Sequence, residues 1–212
     1  MRFCVLISGY GNNLQALLDA IAQGTLPATM VGVLSNRPDA YGLIRAERAG
    51  VPAILCDHTT FPTRQAFEAA VLQHIQPLKP DYVVLAGFLR VLSPFFVAHF
   101  PHKILNIHPA LLPKHPGLHT HAAVLRAHEV RHGCSIHVVT DTLDGGPLIA
   151  QAALTVHPND TEDTLSQRVL ELETQLYPWV LTQLALGQLT LSPLQYQGKN
   201  IPPSGLLIEN FV

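Results

Sequence analysis

Short apolar runs alternate along the first hundred residues with stretches whose apolar positions recur every three or four residues. Phe3 to Ile7 is a continuous apolar run of the kind buried on both faces of a parallel sheet. Ser8-Gly9-Tyr10-Gly11-Asn12-Asn13 breaks it. Leu14, Leu17, Leu18 and Ile21 then fall at helical spacing, with Asn12 or Asn13 to cap the first turn and Gly24 to close the last. Met30 to Leu34 predicts a second strand, Tyr41 to Ala49 a helix stopped by Gly50, and Ala53 to Cys56 a third strand. Helical periodicity returns at Ala66, Phe67, Ala70, Val71 and His74, with Pro62 before it and Pro77 and Pro80 after. Tyr82 to Ala86 is the strongest buried-strand run; Gly87 to Arg90 turns away from it toward a short helix over Pro94 to Phe100.

A fifth strand begins near Lys103 and carries Asn106 and His108, which lie two apart and so point to one face of an extended chain. Pro109, Pro113 and Pro116 stiffen the loop after this strand by fixing φ. A helix over His121 to Ala127 comes next. Cys134 to Thr140 and Leu148 to Val156 then alternate small or polar with apolar residues, as an antiparallel pair does. Asp160 or Thr161 caps a long helix from Glu162 through Leu165, Val169, Leu172, Leu176 and Val180, with Pro178 inside it. From Leu189 short strands and turns are expected, and Pro202-Pro203-Ser204-Gly205 reads as a loose end. Alternating strands and helices predict an α/β fold with a doubly wound, mostly parallel sheet and antiparallel strands toward the C-terminal part. Ligands of such sheets sit outside the carboxyl ends of the strands, where Gly9 to Asn13, Gly87 to Arg90 and His108 onward all fall.

Composition narrows the function classes. The chain has 212 residues, enough for one large domain, and 48% hydrophobic against 13% charged residues excludes general disorder. A formal net charge of -2 leaves no electrostatic footprint for nucleic acid. Three widely spaced cysteines, Cys4, Cys56 and Cys134, signal neither a disulfide framework nor a zinc site and fit a reducing cytoplasm. No apolar run is long enough for a signal peptide or a membrane span. Twelve histidines are an unusual share, and His115, His119 and His121 cluster loosely, but no carboxylate or cysteine completes a metal-ligand spacing, so no metal is expected.

Three stretches carry candidate chemistry. The Gly9-Tyr10-Gly11-Asn12-Asn13-Leu14 turn, between strand and helix, offers free N–H groups to a phosphate; a glycine turn needed only for positive φ explains it equally well. It lacks the third glycine of a dinucleotide fingerprint, and Asn36 and Arg37 stand where that fold wants an acid. Asn106 and His108 pair an amide donor with a titratable imidazole, which suits polarising a carbonyl; a polar strand end bonded to nearby backbone is the bland alternative. Asp141-Thr-Leu-Asp-Gly-Gly-Pro147 supplies Asp144, a carboxylate able to hold the His108 tautomer if it lies within reach, with Asp141 as a possible turn cap. Ser135, His137 and Thr140 on the neighbouring strand are supporting or purely structural.

Ser8 to Leu14, Val84-Leu-Ala-Gly-Phe-Leu-Arg-Val-Leu-Ser93, Leu105 to His119 and Asp141 to Pro147 together resemble the phosphoribosylglycinamide formyltransferase family, within the wider formyltetrahydrofolate-using superfamily. The likeness is collinear from about residue 1 to 190. It implies a single formyltransferase domain over 1–212: a phosphate- and ribonucleotide-binding half over 1–100, a catalytic and folate-binding half over 101–190, and a tail over 191–212. It implies catalysis by Asn106, His108 and Asp144, ribonucleotide binding by Gly11, Asn12, Asn13 and Glu173, and support from Ser135 and His137. It also implies a folate slot of Arg64, Phe88, Leu89, Arg90, Val91, Leu92, Val97, Asn106, Thr140 and Asp141. The implied donor is 10-formyltetrahydrofolate, the acceptor phosphoribosylglycinamide, and the protein a cytoplasmic monomer or homodimer with no membrane or nucleic-acid partner. Tyr10, Asn12, Ala110 and His115 depart from the family's usual Asn, Ser, Ser and Tyr. Alternatives are a 10-formyltetrahydrofolate hydrolase, a methionyl-tRNA formyltransferase, or a nucleotide-binding sensor without turnover.

Overall fold

The computed structural model describes residues 1–208, so the last four residues of the expected 191–212 tail lie outside the described residues. The chain forms two compact units, Met1–Leu105 and Asn106–Val212. In the first, β1 (Arg2–Ile7), β2 (Thr29–Ser35), β3 (Ala53–Leu55) and β4 (Tyr82–Leu85) make a parallel sheet in the order β3-β2-β1-β4. Reversal of strand order on the two sides of β1 is the doubly wound pattern expected from the alternation of runs. Phe3, Leu6 and Ile7 of β1 are wholly buried, as are Leu14 and Leu17 of α1 (Asn12–Ala22); α2 (Tyr41–Arg48) and α3 (Arg64–Ile75) follow β2 and β3. No residue of β1 after Arg2 could be polar without an unpaired buried group, which is why its sequence is an unbroken apolar run.

The carboxyl ends of these strands are cross-tied. Ser8 donates its N–H to the Gly87 carbonyl (3.0 Å), its hydroxyl donates to Asn36 Oδ1 (2.5 Å), and the hydroxyl oxygen accepts the Leu89 N–H (2.8 Å). One buried hydroxyl therefore fixes the turns after β1, β2 and β4 against each other. Two local expectations fail here. The first residue of α1 is Asn12 itself, and Gly11, with φ 80°, takes the cap position, so neither Asn12 nor Asn13 caps the helix. The helix expected over Pro94 to Phe100 shrinks to α4 (Pro94–Val97), because Ser93 caps it and the chain turns at Phe100 to enter the next strand.

That strand, β5 (Ile104–His108), contains the boundary between the units. In the second unit the order is β5-β6-β7-β11, with β6 (Arg131–Val138) and β7 (Leu148–Thr155) antiparallel and β11 (Leu206–Leu207) parallel to β7. The stretch after Pro202 is thus not a loose end: Leu206 and Leu207 pair with Ala150 and Gln151. α5 (Thr120–Arg126) precedes β6, and α6 (Glu162–Ala185) packs on β6 and β7. A capping box between Thr161 and Thr164 starts α6, and Pro178 lies within it. β8 (Leu189–Leu191), β9 (Leu194–Tyr196) and β10 (Lys199–Asn200) form a small antiparallel sheet of their own. The α/β class with a mostly parallel sheet, and antiparallel strands confined to the C-terminal part, is what the chain adopts.

At Gly133 β6 lies close to β7: a Cβ there would sit 1.9 Å from the Ala152 carbonyl oxygen, a backbone atom that cannot rotate away. Gly133→Ala is expected to destabilise the protein by about 1–3 kcal/mol, read as a lowered urea midpoint. Gly9→Ala, where nothing lies within 4 Å of the added atom, should stay within about 0.5 kcal/mol of the parent.

Candidate active site

Three strand ends of the second unit bring its polar residues together. Asn106 and His108 emerge from the end of β5, His137 from the end of β6, and Asp144 from the loop before β7. The side chain of His108 is 6% exposed and that of Asp144 8%, so both are nearly out of water. Asp144 Oδ2 lies 3.4 Å from His108 Nδ1 and accepts the Gly117 N–H at 2.8 Å; Oδ1 lies 3.6 Å from His137 Nε2. Burial pushes the Asp144 carboxyl up, but hydrogen bonding from His137 and Gly117, with the charges of His108 and His137, outweighs it and holds the group below its ordinary 3.8. A carboxylate ionised in so dry a place is a fixed negative charge aimed at two imidazoles.

The other nitrogen of His108, Nε2, lies 2.8 Å from the His115 carbonyl oxygen. A carbonyl only accepts, so this nitrogen carries a proton. Asn106 Nδ2 lies 3.2 Å from His137 Nε2, while His137 Nδ1 lies 3.1 Å from the Val138 carbonyl. In its neutral form His137 therefore donates through Nδ1 and accepts from the Asn106 amide through Nε2, which sets the amide's orientation and leaves its second N–H unused by that contact. Protonated, it donates through Nε2 to Asp144 instead. The arrangement presents an amide N–H and an imidazole N–H beside an anchored carboxylate, the parts needed to stabilise a developing oxyanion and handle one proton.

Backbone shape makes this possible. Asp144 has φ 49°, a left-handed conformation that Asp tolerates better than most residues. Neither following glycine has positive φ; Gly146 is required by space, whereas Gly145 is crowded only by a side chain. A Cβ on Gly145 would meet the Thr142 methyl at 2.5 Å, and one on Gly146 the Val138 carbonyl oxygen at 1.8 Å. The loop can then lie against the end of β6 and turn Asp144 inward. Thr140 is half-buried and Asp141 exposed at its start. Ser135, wholly buried, donates to the Ala110 carbonyl (2.6 Å) and accepts from Leu112 N (3.0 Å). Glu173, on α6, is buried as well.

The remaining candidates lie in the first unit. Gly11 has the left-handed φ expected of a phosphate turn, and a Cβ there would stand 3.0 Å from the Gly42 Cα. Asn12 is exposed and Asn13 buried. Arg45 donates to the Tyr10 carbonyl at 2.9 Å, and its guanidinium lies 4.6 Å from the centre of the Tyr10 ring, itself stacked on Tyr41. Tyr10 thus joins an aromatic and cationic stack on the outside of the turn. Phe88 and Leu92 are buried, Leu89 and Val91 exposed, and Arg90 and Val97 half-buried. Arg64 donates to the buried Glu68 carboxylate at 3.2 Å and to the Val91 carbonyl; Ser93 donates both N–H and hydroxyl to that same carboxylate. Among the described residues no group of three or more His, Cys, Asp or Glu side chains is arranged to hold a metal ion.

Sequence reasoning missed the His115 carbonyl and the Gly117 N–H, the two backbone groups that complete the site. Peptide groups leave no mark in a sequence. It also missed the pair His121 and His132, 2.9 Å apart, of which His132 is fully buried with its Nδ1 unpartnered.

The family described as formyl transferase matches residues 1–181. Phosphoribosylglycinamide formyltransferase of Escherichia coli K12 is 44% identical over 207 residues, covering 97% of this chain and 98% of its own. The trifunctional purine biosynthetic protein adenosine-3 of Drosophila melanogaster is 43% identical over 91% of this chain, which spans 14% of that larger protein. Among solved structures, phosphoribosylglycinamide formyltransferase of Coxiella burnetii matches with TM-score 0.93 and 46% identity, covering 98% of this chain and 99% of its own. Glycinamide ribonucleotide transformylase 1 of Symbiobacterium toebii matches with TM-score 0.88 and 42% identity over 92% of each.

Burial, reinforced by repulsion from His121, His115 and His108, lowers the His132 pKa from 6.5 to about 4. A depressed histidine favours the neutral form in the folded state, so its contribution to stability is intact above about 6.5 and is lost as pH falls toward about 4. The urea midpoint should decline across that window, and His132→Asn should flatten the decline, as unfolding followed at pH 7 and pH 4.5 will register.

Proposed function

The chain belongs to the formyl transferase family, and on that footing we propose that it transfers the formyl group of 10-formyltetrahydrofolate to the amine of 5'-phosphoribosylglycinamide, a step of purine biosynthesis. The observation that carries the reading is the Asp144 carboxylate held between His108 and His137 beside the Asn106 amide, in a chain that covers nearly the whole length of relatives with that activity. The glycinamide amine attacks the formyl carbon, a carbon–nitrogen bond forms, and the carbonyl oxygen takes negative charge. Asn106 donates an amide N–H to that oxygen. His108 donates its Nε2–H, exchanging the His115 carbonyl for a charged acceptor. Each such donor is worth about 3 kcal/mol in the transition state.

Collapse returns the electron pair to carbon and breaks the bond to the folate nitrogen, which receives the proton given up by the amine. Asp144 balances the charge on His108 during this exchange and orders the water that carries the proton. In the first unit, the Gly11, Asn12 and Asn13 turn takes the phosphate on backbone N–H groups, with the Arg45 charge behind it. Glu173 receives the amine side of the glycinamide. For the folate, the first unit offers Arg64, Phe88, Leu89, Arg90, Val91, Leu92 and Val97, and the second unit offers Asn106 and the Thr140–Asp141 backbone. Coverage of 98% of the Escherichia coli enzyme favours this reaction over the hydrolase, tRNA formyltransferase and sensor alternatives.

Turnover of both substrates by the purified protein tests the activity, and absence of product sinks it. Asp144→Asn should retain the fold and lose about three orders of magnitude in kcat; near-normal turnover would remove Asp144 from the mechanism. Gly11→Val, which forces a β-branched residue to φ 80° against Gly42, should raise KM for the ribonucleotide far more than for the folate. Equal rises in the two KM values would count against the phosphate assignment.

A further inference from the structure

Gln151 sits on β7 directly across from Ser135 on β6. Its side-chain amide donates to the Leu112 carbonyl at 2.9 Å and to the Ser135 hydroxyl at 2.8 Å. That hydroxyl in turn donates to the Ala110 carbonyl and accepts the Leu112 N–H. Ser135 Oγ is then saturated, with one proton given and two received. Two strands thus grip the peptide groups on either side of Leu111. The gripped segment starts immediately after His108 and Pro109. It returns within a few residues to place the His115 carbonyl on His108 Nε2 and the Gly117 N–H on Asp144.

We propose that Gln151 is a positioning residue for formyl transfer: acting through Ser135, it pins the Ala110–Leu112 corner so that the following backbone sets the orientation of His108. The inference rests on the formyl-transfer reading for its kinetic part, though not for its structural part. Gln151 touches no reacting group. Its partners are a hydroxyl and a carbonyl, and a side chain of equal length without donors fills the same space while releasing the corner. Gln151→Met is that change.

In Gln151→Met, kcat should fall about tenfold to a hundredfold, the loss expected when a reacting group is displaced by a fraction of an ångström to an ångström. KM for each substrate should stay within about twofold and the melting temperature within a few degrees. Imidazole ¹⁵N spectra, with His108 assigned by its disappearance in His108→Asn, should show the His108 signals displaced and the remaining histidines largely in place. Ser135→Ala should reproduce the kcat loss, and the double variant should lose no more than the worse single one, because both act on one corner. Unchanged kcat with unchanged His108 signals overturns the proposal. So does a loss that comes with a collapsed melting temperature and equal rises in both KM values, which is what a merely structural role produces. Should the parent protein fail to turn over the two substrates, the functional reading falls, and the His108 signals alone decide: displaced in Gln151→Met they support the pinning, unmoved they refute it.

Discussion

The Asp144 carboxylate is buried in a place where an unpartnered charge would be prohibitive, and the geometry of the second unit follows from the need to satisfy it. Its two oxygens have three partners: the Gly117 N–H, His108 and His137. Each comes from a different part of the chain, so the end of β5, the end of β6 and the loop after Pro116 are held in register by one functional group. Removing any partner leaves the charge less well compensated. Moving the carboxylate removes the reason for the imidazoles to face it.

That constraint also explains the backbone of the loop. A carboxylate turned inward at a strand connection requires one residue at left-handed φ and a close approach of the next peptides to β6. Asp144 takes the first burden and Gly146 the second, its Cα lying where any side chain would strike the Val138 carbonyl. The left-handed residue is thus the one proposed for catalysis, and its backbone conformation is compensated by the Gly117 N–H and the two imidazoles its side chain faces. On the far side, Ser135 and Gln151 hold the chain that leaves His108, so the histidine is approached by ordered backbone from two directions.

Much of this was legible in the residue pattern, and the failures are physically informative. Apolar runs at Phe3–Ile7 and Tyr82–Ala86 could only be buried parallel strands, and β1 and β4 are there. Strand alternation put Asn106 and His108 on one face; in the structure the first meets His137 and the second Asp144. Phe96 and Phe100 have helical spacing, yet the two rings pack 5.9 Å apart across a turn that ends the helix at Val97. Capping propensity belongs to side chains, which is what Asn12 and Asn13 offer, whereas this helix begins at a left-handed glycine packed close to Gly42, with Arg45 bonded to the preceding Tyr10 carbonyl, both about thirty residues away. The peptide groups of His115 and Gly117 were invisible for the same reason: their role depends on where the loop closes, not on which residues carry them.

The His115 carbonyl bears on how such a site favours the transition state over the ground state. While it accepts the His108 Nε2–H, that proton is held by a neutral oxygen at 2.8 Å. A developing oxyanion is a stronger acceptor, and a charge-assisted hydrogen bond is roughly twice as strong as a neutral one. A ground-state formyl oxygen, itself neutral, gains little by displacing the carbonyl, whereas the charged oxygen gains the full difference. In the proposed mechanism the exchange would therefore stabilise the transition state selectively, which is the condition for raising kcat and not merely tightening binding. It also requires that the imidazole stay in place while its acceptor changes, and the Asp144 carboxylate on the opposite nitrogen supplies that anchor.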